Sequence, residues 1–390
     1  MKTLTTVLIV TLTMLVTAFP AVAAPGISPP NIDNKLNELS NKYNSLEASW
    51  GRFQVGGNVS VEADSHLGQT TVNPTFEQKM GLSFDASIDP NHAFSLKLAN
   101  DGGWGLTPFS NSPTLAPVTT PLQIDEAFLK IQYPHTLDYL GRFRFSFGPL
   151  GLVADFFNNP AEGFAIQTST GTFHVVGLYS RIATNFQANS TQLASTEEYF
   201  AGRIGWANQT TIIGLNLVPN GIAAEKAASV DLSTSFYQGK LAAEFGWYAF
   251  PSTVADLNTT GSLGALVSFG RNFRTNDYFQ LKADYLSTKF RPSCSSINHP
   301  ADDTREWFIP NTHGLEFYLL NDLSHHFFLE NHLIGLTPVT DFDASGTTYR
   351  MSSSIIKNFS AVSQLQFGVE AQHSAKQTSR FLFTRWSLQF

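Results

Sequence analysis

The sequence predicts an all-β protein: a transmembrane antiparallel up-and-down β-barrel of about eighteen strands (about sixteen being the alternative), with a short N-terminal helix. Three observations carry that expectation. From Trp50 onward, apolar and polar residues alternate with the period of a strand that has one apolar and one polar face. The segments between the alternating runs are themselves alternately long and short. An export-type segment precedes the runs, and the chain closes on one more alternating strand.

The first segment, 1–23, reads as a secretory signal. Lys2 supplies the positive start, Val7 to Val16 the apolar run, and Ala21-Val22-Ala23 the small residues of a cleavage site. The run is short for a membrane anchor, and no later window offers the roughly 18 consecutive apolar residues of a membrane helix. The second segment, 24–49, is a linker followed by a helix-compatible stretch. In it Ile32, Leu36, Leu39, Tyr43 and Leu46, with Trp50 just beyond, follow an a/d heptad spacing. Such a helix packs on the barrel or forms a small coiled coil between protomers, which implies a homotrimer.

The third segment, 50–390, carries the barrel. Phe53, Val55, Val59, Val61 and Ala63 alternate with Arg52, Gln54, Asn58, Ser60 and Glu62; Met80, Leu82, Phe84 and Ala86 alternate with Lys79, Ser83 and Asp85. The same pattern returns in Phe143, Phe145 and Phe147 against Arg142, Arg144 and Ser146, and in Phe279, Leu281, Ala283 and Tyr285 against Gln280, Lys282 and Asp284. A soluble sandwich alternates too, so the connections decide. Long ones fall near 65–75, 101–121, 149–162, 184–196, 219–227, 251–261, 288–312, 338–346 and 372–378. Short ones such as Pro90-Asn91, Thr170-Gly171, Asn208-Gln209 and Gln238-Gly239 lie between them, several with the Gly, Pro or Asn that tight turns use. Long loops at one end and tight turns at the other are the order of a membrane barrel, and an even strand count puts both chain ends on the tight-turn side.

Strand parity sorts the charges. Arg52, Glu62, Lys79, Asp85, Lys97, Glu126, Lys130, Arg142, Arg144, Arg203, Asp231, Glu244, Lys282, Asp284, Arg350, Glu370 and Arg385 are expected on the inner face. A lipid-facing Arg or Lys at mid-membrane would cost ~2–4 kcal/mol. So many charges of both signs inside need water, which favours a hydrated lumen; lumen salt bridges bracing the wall are the compatible alternative.

Composition excludes several classes. A net charge of -7 without a basic stripe argues against nucleic-acid binding. Cys294 is the only cysteine, so there is neither an internal disulfide nor a cysteine zinc cluster. No Gly-x-Ser-x-Gly elbow marks a hydrolase, no cofactor is expected, and the chain is not read as an enzyme. A metal site at His325, His326 and His332 is not expected, because the first two occupy a turn, and loop 288–312, with His299, Asp302 and Asp303, suggests a solvated surface loop.

The last strand alternates Leu382, Thr384, Trp386, Leu388 and Phe390 with Phe383, Arg385, Ser387 and Gln389. It resembles the C-terminal sorting signal of bacterial outer-membrane proteins, in which Trp386, Leu388 and Phe390 would be read by the barrel-assembly machinery. From residue 50 onward the chain resembles bacterial outer-membrane porins. The resemblance implies a cell outer-membrane location among outer-membrane lipid, and a water-filled channel for passive diffusion of small hydrophilic solutes. In general porins the loop after the fifth strand narrows the pore, its acids facing wall arginines. By position that implies Asp155 and Glu162 opposite Arg142 and Arg144, with the loop either folded inward or packed over the rim. Alternatives are a substrate-selective channel for a sugar or siderophore, with Phe128, Tyr248 and Tyr318 as lumen aromatics, and a structural protein or adhesin.

Overall fold

A computed structural model describes residues 53–67, 75–100, 123–156, 160–184, 195–249, 261–290, 292, 311–324, 326–339, 346–373 and 378–390. The signal segment, the heptad stretch, Arg52, Cys294, His299, Asp302, Asp303 and His325 lie outside the described residues. The chain divides into two units at Gly51 and Arg52, and the fold belongs to the second.

The described elements are β1 (Phe53–His66), β2 (Thr75–Asp89), β3 (His92–Asn100), β4 (Gln123–Gln132), β5 (Thr136–Phe143), β6 (Ser146–Phe147), β7 (Ala154–Asp155), β8 (Ala161–Thr170), β9 (Phe173–Thr184) and β10 (Ser195–Ala207). They continue with β11 (Thr211–Asn220), β12 (Lys226–Phe236), β13 (Gly239–Ala249), β14 (Ser262–Asn272), β15 (Tyr278–Leu286), β16 (Thr312–Ser324), β17 (Phe327–Pro338), β18 (Thr348–Ser360), β19 (Ser363–His373) and β20 (Thr378–Gln389). All except β6 and β7 form one 18-stranded sheet in which neighbours in sequence pair antiparallel. β20 pairs back onto β1 from Asn58↔Gln389 to His66↔Phe381, so the sheet is closed. The expected eighteen-stranded barrel is the fold observed. Closure leaves no strand edge with unpaired N–H and C=O groups.

Local sequence explains the short turns. Asn208 Oδ1 accepts from the Thr210 and Thr211 N–H groups at 2.9 and 2.7 Å, and Asp89 Oδ1 accepts from the Asn91 and His92 N–H groups at 2.8 and 3.0 Å. A short polar side chain thus does the work of a turn hydrogen bond. Between β12 and β13 both Tyr237 and Gln238 have positive φ, 47° and 59°, the twist that a two-residue hairpin turn requires. The long connection expected at 219–227 is instead short: β11 runs to Asn220 and a single 3-10 turn, Ile222–Ala224, leads into β12.

The two faces of the sheet differ. Phe245, Val267, Leu281, Leu315, Leu333, Met351 and Phe367 are exposed and occupy the successive strands β13 to β19. They form an apolar exterior. Residues of the opposite parity on the same strands, such as Glu244, Ser268, Glu316, Arg350 and Gln366, are buried and polar.

Candidate functional site

β6 and β7 form a two-stranded hairpin of their own, paired Ser146↔Asp155 and Phe147↔Ala154. It carries some of the most deeply buried apolar residues among those described: Phe147, Leu152, Val153, Ala154 and Phe156 are each at most 1% exposed. Leu152 and Val153 lie against Gly246 of β13, and the Phe156 ring meets Tyr199 of β10 edge-on at 5.1 Å. Gly246 and Tyr199 have inner-face parity, because Phe245, Trp247, Phe200 and Ile204 are the exposed residues of those strands. The loop after the fifth strand therefore folds into the lumen.

It docks on one side. The apolar cluster around it draws on Ala161, Val176, Leu178, Ala201, Val218, Ala227, Tyr248, Leu266, Leu286 and Phe290. Among the described residues it contains nothing from β16 to β20 or from β1 to β3. The lumen is thus divided into an arc covered by the hairpin and an arc left to polar side chains.

Under the hairpin lies a polar relay. Arg203 donates to Asp231 at 2.6 and 2.9 Å and to Asn216 at 3.0 Å. Asn216 donates to Asp231 at 2.8 Å and to Ser229 at 2.9 Å, and Ser229 donates to Glu244 at 2.6 Å. The backbone N–H groups of Leu150 and Leu152 reach the Glu244 carboxylate, which also lies against Gly148. Gly148, at φ 80°, has no Cβ to strike that carboxylate; an added Cβ would sit 2.7 Å from Oε2. Glu244 thus joins the hairpin to the wall.

On the other arc the charges pair across strands. Arg385 donates to Glu62 at 2.5 Å, Arg350 to Glu370 at 2.7 Å, and Lys282 lies 3.5 Å from Glu316. His332 is 3.0 Å from Glu316. Lys97 lies 3.2 and 3.5 Å from Asp125 and Glu126, and Arg144 bonds Asp125 at 2.5 Å with Glu126 at 3.3 Å. Asp284 is buried on the inner face of β15, and Lys79 and Lys130 have inner-face parity opposite Met80 and Leu129. Lys79, Lys97, Glu126, Lys130, Arg203, Glu244, Lys282, Asp284, Arg350 and Arg385 are thus on the inner face.

Arg142 and Glu162 are not. They are register partners and form an ion pair, but Arg142 shares its face with exposed Leu140, and Glu162 shares its face with exposed Phe164 and Ile166. Both stand on the exterior, and Glu162 belongs to the wall strand β8 rather than to the loop. Phe143 and Phe147, expected to face lipid, are both buried: the Phe143 ring lies against Tyr139 and Phe145, and Phe147, within the hairpin itself, lies against Phe145. The physical reason is that this lumen holds an apolar object, so aromatic residues are needed inside to cover it. Asp155 is buried within the hairpin, packed against Gly151. Arg144 alone of the four constriction candidates pairs with other inner charges.

Alternation missed Asp125 because the β3–β4 register shifts between Lys97 and Leu98, a bulge that lets Asp125 and Glu126 reach one lysine together. Glu316 and Glu330 were readable from the sequence, Glu316 standing between exposed Leu315 and Phe317. The terminal strand keeps its expected faces: Trp386 and Phe390 are exposed on the exterior, and Leu388 shares their parity.

No family model matches the chain, and no curated protein matches it in sequence. Solved structures match it in fold. OccD3 (OpdP) of Pseudomonas aeruginosa superposes with a TM-score of 0.56 at 10% identity, over 87% of this chain and 91% of that one. A BenF-like porin from Pseudomonas fluorescens Pf-5 gives 0.56 at 11% identity, over 87% and 98% of the two chains. OpdO of Pseudomonas aeruginosa gives 0.60 at 8% identity, over 87% and 97%. At such identities the likeness is one of fold.

Proposed function

We propose that the chain is an outer-membrane porin: a water-filled channel through which small hydrophilic solutes diffuse passively. One observation carries the reading. The closed sheet has an apolar exterior and an interior of buried and half-buried ion pairs, the inverse of a soluble protein. An apolar exterior of this extent is stable against lipid, and charged interiors are stable against water. The fold shared with a BenF-like porin supports the same assignment. Export by the 1–23 segment, and recognition of the strand ending at Phe390 by the barrel-assembly machinery, belong to this reading.

The hairpin makes the conduit off-centre. Solutes pass between the docked arc, on β5 and β8 to β15, and the polar arc on β16 to β20 and β1 to β3. Passive passage is tested by planar-bilayer recording of the purified protein, with liposome swelling in a panel of sugars and amino acids. Ohmic conductance and size-limited swelling are expected; absence of conductance rejects the channel. A second reading, selective uptake, is favoured by a polar recess in the uncovered arc.

A further inference from the structure

That recess lies on the inner faces of β15 to β18. Its volume is about 160 Å³, and its lining comprises Gln280, Lys282, Glu316, Tyr318, Glu330, His332 and Ser352. Strand pairing puts these residues together: Lys282 is opposite Glu316, Gln280 is opposite Tyr318, Tyr318 is opposite His332, and His332 is opposite Ser352. Apart from Gln280 and Lys282 on β15, the lining comes from β16 to β18, strands that contribute nothing to the apolar cluster under the hairpin. The recess therefore faces the part of the lumen that solutes would use.

Its two carboxylates are held differently. Glu330 accepts from the Tyr318 hydroxyl at 3.0 Å, from Ser354 at 3.0 Å and from the Gln366 amide at 2.6 Å. These donors fix its position. Glu316 is 4% exposed and uses one oxygen, Oε1, for both His332 at 3.0 Å and Lys282 at 3.5 Å. Its other oxygen, Oε2, is buried and takes no hydrogen-bond partner among the described residues. A buried carboxylate oxygen without a donor is costly, and a donor that brings positive charge offsets most. The lining holds two carboxylates against the single ammonium of Lys282, and an imidazole whose Nε2–H can donate to Glu316 leaves Nδ1 as an acceptor. The Tyr318 ring, 6.0 Å from the His332 ring, adds an aromatic wall.

We propose that this recess is a binding subsite for the ammonium group of an amine-bearing solute on its way through the channel. The cation completes Glu316, with Glu330 supplying the second negative charge and Tyr318 an aromatic face. A neutral hydroxyl satisfies hydrogen bonding but not charge, and is bound more weakly. The proposal rests on the channel reading, because a subsite in the lumen acts only on solutes that enter it.

The test is current block in planar bilayers by cadaverine, compared with its hydroxyl counterpart 1,5-pentanediol. Wild-type protein should be blocked by cadaverine and about tenfold less by the diol, the size expected for losing one charge-assisted hydrogen bond. Glu316→Gln should weaken the cadaverine block about tenfold, read as the fraction of the variant's own open-channel current that is blocked. Lys282→Gln removes the competing ammonium and should strengthen the block, a change that misfolding does not produce. Arg142→Gln, on the exterior face, should leave the block as it is. Equal block by amine and diol, or a block insensitive to both Glu316→Gln and Lys282→Gln, overturns the subsite while leaving the channel standing. Absence of conductance in the wild type overturns the channel reading instead.

Discussion

Gly57 and Phe390 exchange both of their backbone hydrogen bonds, Gly57 N–H to Phe390 O at 2.8 Å and Phe390 N–H to Gly57 O at 2.9 Å, and the Phe390 ring lies against the glycine. This pair completes the β1–β20 seam that closes the barrel. A Cβ on Gly57 would fall 2.8 Å from the Phe390 ring and 2.6 Å from the Gly81 carbonyl oxygen. Gly57→Val should therefore destabilise the seam by about 1–3 kcal/mol, the usual cost of overpacking. Deleting Phe390 removes both bonds and the ring together. In both variants the heat-resistant folded band on cold gel electrophoresis should fall, and urea should unfold the remainder earlier than wild type. Folded yields equal to wild type would show that closure does not depend on this contact.

Arg203 and Asp231 test the relay beneath the hairpin. The Asp231 side chain is fully buried and that of Arg203 is 15% exposed, so each charge depends on the other for solvation. Asp231→Ala should destabilise the barrel by about 3–5 kcal/mol, because a buried guanidinium is left without its partner. Replacing both, as Arg203→Met with Asp231→Leu, should recover much of that loss. Equilibrium urea unfolding in lipid vesicles measures both. Additive losses in the double variant would show that the two residues act independently.

The barrel was legible because strand period and loop alternation are local signals that survive burial. Glu62 pairs with Arg385, and Arg350 with Glu370, on strands whose two faces obey one rule, apolar to lipid and polar to water. That rule fails where the lumen is not water. Phe143 and Phe147 face inward because Leu152, Val153 and Phe156 are there, and the hairpin is a tertiary object that strand parity cannot anticipate. Once those phenylalanines are read as lipid-facing, Arg142 falls inside by arithmetic, whereas Glu162 is assigned to the loop by position although β8 already begins at Ala161.

Glu244 should govern how far the hairpin blocks the lumen. Its carboxylate accepts from Ser229 and from the backbone of Leu150 and Leu152, so Glu244→Ala removes the polar anchor while leaving the apolar contacts of Leu152. A loosened hairpin should raise mean single-channel conductance and add flicker on the millisecond scale, about the time range of loop and lid motions. Glu244→Gln keeps a carbonyl acceptor and should lie between the two. Conductance and noise identical to wild type in Glu244→Ala would mean that the hairpin is held without it or does not narrow the path.

Arg142 and Glu162 should be silent in ion selection. They belong to one register row, Arg142, Glu162, Arg181 and Glu198, that runs across β5, β8, β9 and β10 with alternating charge. The next row toward the tight-turn end is Leu140, Phe164, Tyr179 and Phe200, with ring centroids 5.5 and 5.0 Å apart. Aromatic residues gather at membrane interfaces, and charged side chains cost little there, about 0–1 kcal/mol. The rows therefore mark where hydrocarbon gives way to head groups on the exterior, with the wall between them and the permeating ions. An exposed pair in that position is also worth little to stability, about 0–1 kcal/mol. Arg144 differs, because it joins Lys97, Asp125 and Glu126 on the inner side, where a charge acts on ions at close range. Arg142→Gln combined with Glu162→Gln should leave the reversal potential in a tenfold salt gradient unchanged, whereas Arg144→Gln should move it toward cation preference by a measurable step of about several millivolts. A shift from the first pair equal to that from Arg144→Gln would place the outer row in the conduction path and contradict the face assigned to it.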